Sequence, residues 1–156
     1  MVTVLLLAMV VAGCSAVSDD EQDPVERVKV GDAVPSFTME VVAGHGRTAF
    51  STESLHGLTV IVFFNTSCKD CQRDLPLLNQ YYLQHKDEPD FQLVAISREE
   101  DEASVATFWA DNGLQMPYSA QTDRSIYNLF ATSIIPRIYF CSDGIVTRID
   151  VEKFAI

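Results

Sequence analysis

Five apolar residues, Val60-Ile61-Val62-Phe63-Phe64, lead through a short polar turn into Cys68-Lys69-Asp70-Cys71. The run has the length and the β-branched and aromatic content of a buried strand. Gln72 to Tyr82, which follow, have spacing that suits a helix. Cysteines at i and i+3 lie on one side of a helical turn, so Cys68 and Cys71 can close a disulfide there with little rearrangement. A strand feeding a two-cysteine turn and then a helix predicts a reversible dithiol, with the rest of the chain as the frame that presents it.

The chain has four cysteines, and their surroundings divide them. Cys14 closes an apolar leader, Cys68 and Cys71 form the C-x-x-C, and Cys141 stands alone at the end of a predicted strand. Two structural disulfides would need Cys14 or Cys141 to find partners outside the pair. A C-x-x-C on a strand-to-helix turn points instead to redox or metal chemistry. With 156 residues, 47% of them hydrophobic, the chain can bury the core of one domain. Its formal charge of -11, with no Lys/Arg cluster above the acidic background, argues against a nucleic-acid partner. Cys141 is expected to be a buried small hydrophobe. His45, His56 and His85 are scattered and do not form a metal-ligand spacing.

Met1 to Ala12 carry no charged side chain and read as the core of a signal peptide, with an uncleaved anchor as the alternative. Val11-Ala12-Gly13-Cys14 resembles the bacterial lipobox, although a basic n-region is missing. That resemblance implies cleavage before Cys14 and lipidation of its thiol. The acidic run Ser18-Asp19-Asp20-Glu21 resembles the export signals of surface lipoproteins, or is simply a solvated linker. The expected organisation is a signal peptide over residues 1–13, an acidic tether over 14–28 and one domain over 29–156.

Within that domain a β-hairpin around Gly44-His45-Gly46 is expected to cap the core. One helical turn over Thr52 to His56, stopped by Gly57, should precede the central strand. Phe91 to Ser97 read as a second strand and Asp101 to Asn112 as a helix with Val105, Phe108 and Trp109 on one face. Trp109 is expected in the core. A short strand over 117–120 and a short helix over 125–130 lead to Ile134-Ile135-Pro136. A last hairpin, 137–141 and 145–149, turns at Asp143-Gly144.

Taken together, these features resemble the thioredoxin-like superfamily, and within it the membrane-tethered thiol-disulfide oxidoreductases of the TlpA and ResA type. Gly31-Asp32-x-x-Pro35-x-Phe37 resembles the family's opening, the segment through Cys68 and Cys71 its active site, and Pro136 its cis-proline. The resemblance implies an α/β thioredoxin-like fold: a central mixed sheet flanked by helices, with an N-terminal β-hairpin extension. The family usually adds a C-terminal helix against the sheet after the point where this sequence stops, at Ile156, so either that helix is absent or the sequence is incomplete. Two more departures lie at the site, where Ser67 replaces the usual Trp and Lys69-Asp70 lack the frequent proline. The pair would act without a cofactor other than its own disulfide. The implied partners are protein thiols and disulfides and a membrane electron donor or acceptor. The expected setting is the bacterial cell envelope, lipid-anchored and either periplasmic or surface-exposed, as a monomer.

The expected roles follow from position. Cys68, at the helix N-terminus, is the attacking thiol, and Cys71, one turn inside, the resolving one. Lys69 should favour a thiolate and Asp70 oppose it. Asp74 matches the functional Glu of ResA-type proteins and is the candidate proton acceptor for Cys71, with an exposed acid serving the helix dipole as the alternative. Val62 occupies the position of the usual thioredoxin acid. Ser67, Ile135 and Pro136 are the expected substrate-binding positions, and Ile135 points to a reducing role. Two other readings remain. One is a thiol peroxidase, although Ile61 and Asn65 stand where the peroxiredoxin pattern needs Pro and Thr. The other is a non-enzymatic lipoprotein holding a soft metal ion on the C-x-x-C.

Overall fold

The computed structural model describes residues 26–155. The expected signal peptide, most of the tether and Cys14 lie outside the described residues. Within them the elements are β1 (Thr38–Ala43), β2 (Gly46–Ser51), a 3-10 turn (Thr52–Ser54), β3 (Leu58–Phe64), α1 (Lys69–His85), β4 (Phe91–Ser97), α2 (Glu102–Asp111), β5 (Tyr118–Ser119), α3 (Tyr127–Phe130), β6 (Arg137–Ser142) and β7 (Ile145–Val151). The strands form one mixed sheet in the order β2-β1-β5-β4-β3-β6-β7.

β3 lies in the interior of the sheet, between parallel β4 and antiparallel β6. Its side chains alternate between the two faces, as the pleat requires. Val60, Val62 and Phe64 enter one apolar cluster with Cys71, Leu75 and Trp109, while Ile61 and Phe63 enter the other with Tyr127, Phe130 and Tyr139. All five residues from Val60 to Phe64 are fully buried, which is why the segment reads as a continuous apolar run and not an alternating one. At about 1.5–3 kcal/mol for each buried large apolar side chain, this strand alone contributes on the order of 10 kcal/mol of gross burial. Parallel pairing of β3 with β4 requires a crossover, and α1 supplies it.

The first hairpin corrects an expectation. It does not cap the core: β1 joins the main sheet by pairing with β5, and β2 becomes the sheet's edge. Met39 and Val41 are buried on β1, while the first four residues of β2 are exposed. The tether boundary also moves. Glu26 bridges to Ala131, the Arg27 and Val28 amides donate to the Phe130 carbonyl, and Val28 is buried. Residues 26–28 therefore belong to the domain.

No helix follows β7 among the described residues, but the sheet is not left bare there. Phe154 is buried against Tyr81 and stacks on Phe140. The 3-10 turn ends at Ser54, with Leu55 already extended, and so is shorter than the expected Thr52 to His56; Gly57 follows at φ +59, where a Cβ would stand 2.2 Å from the Asp90 carbonyl oxygen. Trp109 lies in the core, its indole N–H donating to the Met116 carbonyl at 2.9 Å. No helix among the described residues is long and apolar enough to cross a membrane.

Candidate active site

At the end of β3 the chain turns through Asn65, Thr66 and Ser67 before α1 begins. The turn is built by its own polar groups. The Asn65 side-chain oxygen accepts from the Ser67 amide at 2.9 Å and from its hydroxyl at 2.5 Å, while the Asn65 amide group donates to the Arg98 carbonyl at 3.0 Å. Glu100, beyond the end of β4, accepts from the Thr66 amide at 3.0 Å and from the Thr66 hydroxyl. The turn is thus clamped to the neighbouring strand, and the position of Cys68 is fixed from both sides. Ser67 is exposed at the surface of this turn.

Cys68 is the N-cap residue of α1, in extended conformation, and its sulfur accepts from the Cys71 amide at 3.4 Å. That places it at the positive end of a 17-residue helix, where free N–H groups favour negative charge. The Cys68 thiol also donates towards the Ile135 carbonyl, 3.7 Å away. Ile135-Pro136 is a cis peptide, and the Ile135 carbonyl lies beside the Cys68 sulfur. Cys68 is half-buried, and Cys71 is fully buried one turn further in. Both are free thiols in the structure, as is buried Cys141.

Burial raises Cys71 well above the ordinary thiol value of 9.0, and its hydrogen bond with Cys68 adds to the rise. Asp74 adds a smaller upward push through its charge. Cys141 is pushed up to about 12 by burial alone. Both thiols therefore stabilise the reduced fold below the ordinary thiol range, and that contribution fades as pH rises above about 9, at roughly 1.4 kcal/mol per thiol per pH unit. The reduced protein is expected to show a lower urea midpoint at pH 10 than at pH 8. An unchanged midpoint would contradict the burial of these sulfurs.

Asp74 is buried, with its side chain 1% exposed, so it is not an exposed acid serving the helix dipole. Arg73 Nε donates to Oδ1 at 2.6 Å and Arg73 Nη2 to Oδ2 at 3.1 Å, and the Phe154 amide donates to Oδ2 at 2.7 Å. A carboxylate offers about four acceptor positions, so one remains after these three bonds. Arg73 also bonds Asp70 at 2.7 Å and the Glu152 carbonyl at 2.8 Å. The pairing with Asp70 alters the expected contest between Lys69 and Asp70, because Asp70 is already compensated. Lys69 is exposed and forms no ion pair among the described residues.

Most of the residues singled out from sequence thus converge: Ser67, Cys68, Lys69, Asp70, Cys71 and Asp74 on the turn and first turns of α1, with Ile135 and Pro136 facing them. Val62 lies buried in the core behind, on the face that Cys71 enters. Sequence reasoning missed Asn65, Glu100, Arg73 and Phe154 as the groups that hold these residues. Asn65 and Arg73 border the motif and carried a local signal. Glu100 and Phe154 act across 34 and 80 positions and carried none.

A parallel β3-β4 core, a C-x-x-C at the N-terminus of α1 and a cis-proline loop opposite it define a thioredoxin-like fold. Residues 30–149 match the AhpC/TSA family, and the chain belongs to that family. It is 25% identical over 138 residues to the thiol-disulfide oxidoreductase ResA of Oceanobacillus iheyensis, covering 87% of this chain and 71% of that one. Two solved structures share the fold at 23% identity. One, from Bacteroides thetaiotaomicron, assigned provisionally as a protein disulfide isomerase, has a TM-score of 0.75 and covers 82% of each chain. The other is a thiol:disulfide interchange protein of the thioredoxin family from Chlorobium tepidum TLS, with a TM-score of 0.67, covering 79% of this chain and 87% of that one.

Proposed function

We propose that this protein is a reductant of disulfide-bonded proteins outside the cytoplasm, held at the membrane through a lipid on Cys14. The chain is a thioredoxin-like thiol-disulfide oxidoreductase, and the Cys68-Cys71 pair is its redox centre. The observation that carries this reading is the position of the Cys68 sulfur. It is reachable from solvent, caps the helix, and lies 3.7 Å from the backbone carbonyl that precedes the cis-proline.

The Cys68 thiolate attacks one sulfur of a substrate disulfide, forming a mixed disulfide and releasing the other sulfur as a thiolate. Cys71, deprotonated by Asp74, then attacks the Cys68 sulfur and expels the second substrate thiolate. Two electrons pass to the substrate, whose two thiolates take up protons, and Cys68-Cys71 becomes a disulfide. A membrane thiol donor outside this chain would return it to the dithiol. Ser67, Ile135 and Pro136 would contact the substrate chain, and Lys69 would tune the pair.

The apolar leader, the lipobox-like tetrad and the likeness to ResA support the extracytoplasmic setting. The reducing direction rests on Ile135 before Pro136. The test is the equilibrium potential of the Cys68-Cys71 couple. A value nearer to about -270 mV, as in thioredoxin, is expected; one near -120 mV, as in the oxidant DsbA, would reverse the direction. In the same cells, Cys14→Ser should move the protein out of the membrane fraction, and a variant still in that fraction would remove the lipid anchor.

A further inference from the structure

Behind the cis-proline loop lies a buried polar cluster that the exchange chemistry does not use. Arg137, immediately after Pro136, is only 2% exposed, although its charge would ordinarily keep it at the surface. Its Nε donates to the Ser133 carbonyl at 2.9 Å and to the Ile134 carbonyl at 3.1 Å. Its Nη1 pairs with the Glu26 carboxylate, whose other oxygen accepts from the Tyr139 hydroxyl at 2.5 Å. The Tyr127 hydroxyl donates to the Ser133 carbonyl and, at 2.8 Å, to the Ile134 carbonyl. Two side chains thus converge on the same two backbone oxygens, and Glu26 supplies the charge that lets a guanidinium be buried there.

The loop needs such holding. Ile134 has φ +69, a conformation that a β-branched residue rarely adopts. The next residue is Ile135, whose carbonyl faces the Cys68 sulfur. A small rotation at Ile134 would swing that carbonyl away from the Cys68 sulfur.

We propose that Arg137, anchored by Glu26 and assisted by Tyr127, is the positioning residue that aims the Ile135 backbone at an extended substrate. The cluster acts chiefly on binding of a polypeptide, because the Cys68 thiol makes one long contact with this carbonyl, at 3.7 Å, and keeps its place at the helix N-terminus without it. This rests on the disulfide-exchange reading above. A guanidinium can reach two carbonyls and a carboxylate at once because its donors are fixed in a fork, which an ammonium cannot reproduce. Arg137→Lys therefore keeps the charge opposite Glu26 and loses the aim.

The experiment compares wild type and Arg137→Lys with a disulfide-bonded peptide as substrate, and measures alkylation of Cys68 by iodoacetamide as the reactivity control. The expected result is a rise in KM for the peptide of about tenfold, with much smaller changes in kcat and in the alkylation rate. An unchanged KM, or a fall in kcat without a change in KM, would overturn the proposal. Should Arg137→Lys fail to fold, Tyr127→Phe decides, since it deletes one donor to the same carbonyls and keeps the ring packing. A raised KM in that variant supports the assignment, and a wild-type KM overturns it. A wild-type protein that does not reduce the peptide at all would instead sink the disulfide-exchange reading.

Discussion

A Cys71→Ser protein is expected to capture disulfide-bonded clients in a covalent adduct through Cys68 and to release them too slowly for turnover. Cys68 is the only one of the pair that a macromolecular disulfide can reach, because Cys71 is fully buried beneath it. The first exchange needs only the Cys68 sulfur, and the second needs a thiolate at Cys71. Serine at 71 leaves the first step and removes the second. Its hydroxyl, buried where a thiol stood, costs about 1–3 kcal/mol if it finds no partner, less than the usual stability of a domain this size. The adduct should appear on non-reducing gels and vanish with dithiothreitol, while Cys68→Ser forms none. A Cys71→Ser protein that turns over normally, or adducts that persist in Cys68→Ser, would reverse the assigned roles.

The same geometry bears on peroxide chemistry, since the family to which the chain belongs includes AhpC by its name. The position three before Cys68, where a threonine hydroxyl would be needed, holds Asn65. Its side chain is committed on both ends, to Ser67 and to the Arg98 carbonyl. The group that would stand near a peroxide is therefore engaged in shaping the turn. The buried partner one turn along the helix favours exchange between two cysteines, which is the chemistry the Cys71→Ser adduct reads out.

Much of this was legible in the sequence because the decisive signals were local. β4 was read from Phe91 to Ser97, the range observed, since an apolar strand buried on both faces leaves little room for another period. α1 extends beyond the expected 72–82 at both ends, because Lys69, Asp70 and the polar last turn carry no apolar spacing to mark them. The first hairpin was recognised but misplaced. Its partner in the sheet, β5, falls within the strand expected over 117–120, but a two-residue strand carries no local sign of which neighbours it pairs with. Long-range polar contacts were invisible. Glu26 read as part of an acidic tether until Arg137, 111 positions away, gave its charge a buried partner. The burial of Asp74 depended in the same way on the amide of Phe154.

Asp74→Asn separates two effects of one carboxylate that have opposite signs. As a fixed charge, Asp74 raises the pKa of Cys71, so removing it should make the thiol more acidic and speed its attack on the mixed disulfide. As the proposed proton acceptor, it would take the proton that burial otherwise keeps on Cys71, and removing it should then slow the same step. The second effect is expected to dominate, because burial is the largest cause of the raised pKa and Asn leaves it untouched. General-base assistance is typically worth 10²–10⁴-fold, so a slowing of about a hundredfold near pH 7 is expected for resolution of a preformed mixed disulfide, measured by stopped flow. Without an internal acceptor the variant depends on hydroxide. Its rate should climb about tenfold per pH unit and approach wild type above the ordinary thiol range. The fold should survive, since Asn can still accept from the Phe154 amide and Arg73 is half-exposed. A variant that resolves faster than wild type at neutral pH would leave Asp74 as a charge that restrains Cys71, and the proton would then leave directly to water.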